Sequence, residues 1–118
     1  MTGGQDMQDT AILVTRAGMG HAPEALQLKL FATYLKLLLA NNTTPGAICF
    51  YSDGVKLAVE GSPVLESLSE LEKRGCHLVL CQTCLNFFGL TEKVTVGTIG
   101  GMGDILAAQV TAAKVIAL

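Results

Sequence analysis

The chain has 118 residues, half of them hydrophobic and 15% charged, with a formal net charge of −2. That length fits one domain able to bury a core without disulfide staples. The charge balance leaves no broad basic face, which argues against a nucleic-acid partner.

Residues 1–8 are polar with a glycine pair and are expected to be a disordered tail ahead of a domain over 9–118. No basic stretch followed by an apolar run opens the chain, so no secretory leader is expected and the location is expected to be cytoplasmic. "TAILVT" (10–15) is a short apolar run of the kind that forms a buried parallel strand. The glycine-containing loop "AGMGHAP" follows, and Pro23 suits the first turn of a helix. "EALQLKLFATYLKLLLA" (24–40) is a run of helix formers. Gln27, Lys29, Thr33 and Lys36 interrupt it, so it is not a membrane span. Its apolar surface is wider than one sheet face needs, which predicts a second partner and a homo-oligomer.

"AICFY" (47–51) reads as the second strand and "SDGVKLAVEG" as a loop with one helical turn. Ser62 as N-cap and Pro63 at the first position predict a helix that ends at Gly75, with Glu70 and Arg74 paired along it. "CHLVLC" (76–81) is the third strand. "LNFFG" (85–89) predicts a short helix, "KVTVGT" (93–98) a weaker fourth strand, 104–113 a helix and "KVIAL" (114–118) a fifth strand. Strands alternating with helices predict a three-layer α/β/α domain with a parallel sheet. In such sheets chemistry collects at the carboxyl ends of the strands, and "AGMGH", "YSDG" and "CQTC" all fall there.

Four cysteines without a leader favour free thiols, metal or redox chemistry over a disulfide framework. Cys49 and Cys76 lie inside strands and read as buried structural residues. Cys81 and Cys84 sit where a strand hands over to a helix, the setting of reactive thiols. One C-x-x-C is half a zinc site, and no second pair stands at workable spacing, so no metal is expected. A thioredoxin-like dithiol is a further reading, although Gln82 and Thr83 are unusual between its cysteines. "GMGHAP" and "GTIGGMGD" lack the lysine or acidic partner of a phosphate loop, so no nucleotide or other cofactor is expected. His21, Asp53 and Lys56 are the polar candidates for a substrate or partner edge beside the thiols.

"FYSDGVKL", "EGSPVLE", "CQTCLNFFGL" and "VGTIGGMGDI" together resemble the DsrE-like family, nearest to the C-terminal DsrE-like domain of the YedF-type sulfurtransferase-like selenium metabolism proteins. The resemblance covers about residues 11–118. It implies a five-stranded parallel sheet ordered 4-3-2-1-5, homo-oligomers, and cytoplasmic relatives that pass persulfide sulfur between proteins. In the wider family the sulfur-accepting cysteine closes the third strand eight residues before a glycine, a place taken here by Cys81 and Gly89. Cys84 matches a second cysteine of the YedF-type pattern. Those relatives also carry a small TusA-type sulfur-carrier domain, which these residues do not include, so a TusA-like carrier is a candidate donor or acceptor.

The expected function is persulfide relay of the sulfurtransferase type, with Cys81 receiving the sulfur and Cys84 resolving it or packing inward. The alternative is a non-catalytic oligomeric α/β module that binds a small ligand or partner protein at the same sheet edge.

Overall fold

A computed structural model of the chain describes residues 7–118. Five parallel strands form one sheet in the order β4-β3-β2-β1-β5: β1 Thr10–Val14, β2 Ala47–Phe50, β3 His77–Cys81, β4 Thr98–Gly100 and β5 Lys114–Ala117. This is the order the family resemblance implies. The register runs Ile12 beside Ile48 and Ile48 beside Leu78, while Ile12 also pairs with Ile116 on the other side. Short apolar, β-branched runs favour the central strands because both of their faces are covered.

The connections place the helices. From β1 to β2 to β3 the chain steps one way across the sheet. Right-handed crossovers therefore put α1 (Glu24–Ala40) and α2 (Leu65–Lys73) on one face, where they pack together. The return from β4 to β5 reverses that direction and carries α4 (Met102–Thr111) to the opposite face, giving the three-layer α/β/α domain. In chain order the short α3, Gln82–Phe88, follows β3 directly. Phe31 and Leu35 of α1, Leu68 and Leu71 of α2, and Ile12, Ile48, Phe50, Leu78 and Leu80 of the strands form a fully buried core. The expected Glu70–Arg74 pair is present at 3.1 Å.

Several boundaries differ from the sequence reading. Within the expected 1–8 tail, residues 1–6 lie outside the described residues; the Met7 carbonyl accepts hydrogen bonds from the Thr10 and Gly46 amides. The helix expected from Ser62 starts at Leu65, because the Ser62 hydroxyl accepts the Val64 N–H at 3.3 Å in a local turn. The fourth strand, expected over 93–98, is Thr98–Gly100. Residues before it are extended but pair elsewhere: Val94 bridges antiparallel to Val59, and the Glu60 amide donates to the Lys93 carbonyl at 2.9 Å. No helix among the described residues is long and apolar enough to cross a membrane.

Candidate functional site

β3 runs its apolar residues through the middle of the sheet and stops at Cys81, which pairs with Gly100 of β4. Cys81 is both the last residue of the strand and the N-cap of α3, with φ −68° and ψ 118°. No loop intervenes, so α3 begins at Gln82 rather than at Leu85 as the sequence suggested. Gly89, with φ +68°, ends the helix in the left-handed conformation that a Cβ would penalise. The Leu90 amide then donates to the Leu85 carbonyl at 2.8 Å. Leu85 is fully buried and anchors the helix.

A side-chain knot holds the outer face of α3. The Asn86 Oδ1 accepts from the Gln82 Nε2 at 2.9 Å and from the Thr91 hydroxyl at 2.8 Å. Phe88 receives the Lys56 ammonium 4.4 Å above its ring centre, and Phe87 packs edge-on against Phe88. Phe87 itself is 83% exposed.

The two thiols of "CQTC" are neighbours, close enough for Cys81 to raise the Cys84 thiol. Their exposures reverse the expectation: Cys81 is 1% exposed, whereas Cys84 is partly open. Cys81 is buried at the end of the strand, while Cys84, one turn further on, packs partly against the core and keeps some surface open. The Ser52 amide, 32 residues away in sequence, donates to the Cys84 sulfur at 3.1 Å. Burial pushes the Cys84 thiol above its ordinary range; the Ser52 N–H pulls the other way, and Cys81 adds to the upward shift.

Ser52 reaches Cys84 because the segment after β2 is wound into a tight 3-10 helix, Ser52–Ala58. The Tyr51 amide donates to the Val14 carbonyl at 3.1 Å, docking that segment on the end of β1. A Cβ on Gly54 would overlap the same carbonyl, so only glycine permits the approach. Among the described residues Ser52 is one of two non-glycine residues with positive φ, at +53°. This strained backbone is the one whose N–H is committed to sulfur.

Asp53 and Lys56 lie on this 3-10 helix and form an ion pair of 2.9 Å, half exposed to solvent. Lys56 therefore spends its charge on Asp53 and the Phe88 ring. His21 is exposed in the loop leaving β1. Two strand spacings separate β1 from β3, about 10 Å. Among the described residues no hydrogen bond or ion pair joins His21 to the other four candidates. The structure thus brings Cys81, Cys84, Asp53 and Lys56 into one cluster and leaves His21 beside it. Ser52 and Phe88 were missed by the sequence reading. Serine in a turn carries no mark of a sulfur contact, and the partnership exists only once β2 and β3 are neighbours.

Cys49 and Cys76 are buried in the core. Burial raises the Cys49 thiol, and burial with the nearby Cys49 and Glu72 pushes Cys76 up to about 12. Among the described residues no group of three or more His, Cys, Asp or Glu side chains is arranged to hold a metal. At the start of α4 the Asp104 carboxylate accepts the Gly101 N–H at 2.9 Å, so a phosphate arriving at that glycine loop would meet negative charge.

The DsrE/DsrF-like family profile matches residues 8–118. The chain belongs to the DsrE/DsrF-like family. This family is associated with sulfur relay. Solved structures agree on the fold. A protein of unknown function, MTH1491 from Methanobacterium thermoautotrophicum, superposes with a TM-score of 0.68 at 18% identity, covering 92% of this chain and 97% of that one. The ychN protein from E. coli gives 0.65 at 18% identity, with 92% and 98% covered. BT1422 from Bacteroides thetaiotaomicron, a conserved protein of unknown function, gives 0.64 at 19% identity, with 93% and 95% covered. No curated protein matches the chain.

Proposed function

We propose that this DsrE/DsrF-like protein is a cytoplasmic persulfide carrier, holding one sulfane sulfur on the Cys81–Cys84 pair and exchanging it with partner proteins. The observation that carries this reading is the pair itself: two neighbouring free thiols at the carboxyl end of β3, one of them partly open and holding a backbone N–H on its sulfur. Sulfane transfer requires a thiolate to attack the outer sulfur of a persulfide, and access for the donor. Cys84 supplies the access, and the Ser52 N–H favours its anion. The likeness to YedF-type domains supports the same chemistry, with a TusA-like carrier as donor or acceptor.

The protein acts in this reading as a homo-oligomer. Leu26, Leu30 and Leu37 of α1 are 46%, 43% and 55% exposed, and Met102, Leu106 and Val110 of α4 form a second open stripe at helical spacing. Faces of that kind mark interfaces. The His21 loop, Asp53 and Lys56 frame the edge at which a partner would meet the thiols.

Intact mass spectrometry after incubation with glutathione persulfide tests the reading. The reduced protein should gain the mass of one sulfur atom per chain, removable by dithiothreitol. No gain, with the cysteines reduced at the outset, would leave the non-catalytic binding module as the better account.

A further inference from the structure

The two thiols are not equivalent, and the difference has a direction. Cys81 is 1% exposed, so a persulfide on another protein has no line of approach to it. Cys84 is partly open, accepts the Ser52 N–H and is a close enough neighbour of Cys81 to be shifted by it. Building on the carrier reading above, we propose that sulfane sulfur enters at Cys84 and is then passed inward to Cys81, so that Cys84 is the port and Cys81 the store.

Both steps balance without an oxidant. In the first, the Cys84 thiolate attacks the outer sulfur of the donor persulfide. A bond forms between the Cys84 Sγ and that sulfur, the donor's S–S bond breaks, and its electron pair leaves on the donor thiolate, which takes up a proton. In the second, Cys81 attacks the same sulfur. A new S–S bond forms to the Cys81 Sγ, the bond to the Cys84 Sγ breaks, and Cys84 departs as a thiolate. The proton Cys81 gives up is taken by the departing Cys84 thiolate, so the step balances. The transferred sulfur keeps its oxidation state throughout.

The surroundings favour this order. A leaving thiolate departs faster when its anion is stabilised. The Ser52 N–H, 3.1 Å from the Cys84 sulfur, provides that stabilisation at the thiol that must leave in the second step. Its left-handed backbone, pinned by the close packing of Gly54 on Val14, keeps the donor aimed at sulfur before any reaction begins. Once on Cys81, the persulfide is buried, away from small-molecule reductants. Delivery reverses the path and ends at the same open thiol.

The full chain is mixed with glutathione persulfide, sampled over time, alkylated and mapped by peptide mass spectrometry. In the wild type, sulfur should appear first on Cys84 and later on Cys81. In Cys81→Ser the sulfur should load on Cys84 and remain there. In Cys84→Ser loading should slow by about tenfold or more, since the open thiolate is gone. Sulfur appearing first on Cys81 in the wild type, or undiminished loading of Cys84→Ser, overturns the port-and-store order while leaving the carrier reading standing. Absence of sulfur from both cysteines of the wild type overturns the carrier reading itself. The wild-type time course needs no variant to fold, and far-UV circular dichroism checks the two variants.

Discussion

At the scale of single residues, the site depends on one amide and two sulfurs. Burial raises the Cys84 thiol, so at neutral pH it is mostly protonated and waits for a donor. Its alkylation by iodoacetamide should therefore keep rising with pH beyond the ordinary thiol midpoint, about tenfold per unit while the thiolate is the minor form. A Cys49→Ala, Cys76→Ala background isolates that rate; a plateau already reached near neutral pH would contradict the assignment. Cys76 makes an opposite kind of prediction, about stability. Its folded value of about 12 lies above that of an ordinary thiol, so the folded state holds its proton over a window where the unfolded chain has lost it. Stability is fully present below pH 9 and falls as pH rises toward 12. Urea unfolding at a series of alkaline pH values should show this fall, and Cys76→Ala should flatten it.

At the scale of elements, the 3-10 helix Ser52–Ala58 and α3 form one unit, and each can be loosened separately. Gly54→Ala places a methyl group on the Val14 carbonyl and should cost about 2 kcal/mol or more, because backbone atoms cannot rotate aside. It should also slow sulfur loading, since Ser52 shifts with it. Lys56→Ala removes an exposed ion pair and a cation–π contact and should cost only about 1 kcal/mol. Thermal melts of the two variants give the comparison; equal effects would mean that Gly54 is not the clamp. The sequence made most of these elements readable. Strands at 10–15, 47–51 and 76–81 were visible as apolar runs because both faces are buried. β4 was misplaced because the β-branched residues that suggest a strand, Val94 to Val96, extend beside residues 58–60 instead of the sheet. The start of α4 was missed because Gly101 and Gly103 look like loop, while Asp104 reaches back to hold the first turn. The cysteine pair was legible from its place at a strand end. Which thiol is open was not, since that depends on how α3 packs against β3, and Ser52 was invisible because its contact spans 32 residues.

At the scale of the molecule, the chain carries more open apolar surface than a lone small domain usually shows. The stripe Met102, Leu106 and Val110 is 55%, 57% and 76% exposed, and Val115 of the edge strand β5 is also open at 44%. Light scattering at micromolar concentration should report an oligomer. Leu106→Glu, which changes an exposed position, should shift it toward monomer without loss of fold, and a monomeric wild type would remove the oligomer from the account. The central claim is that sulfur is held on this cysteine pair and not on the buried Cys49 and Cys76. Mass analysis of persulfide-treated Cys81→Ser, Cys84→Ser double variant beside Cys49→Ala, Cys76→Ala tests it most directly. The account predicts one added sulfur on the second variant and none on the first; equal sulfur on both, or sulfur on the first alone, would contradict it.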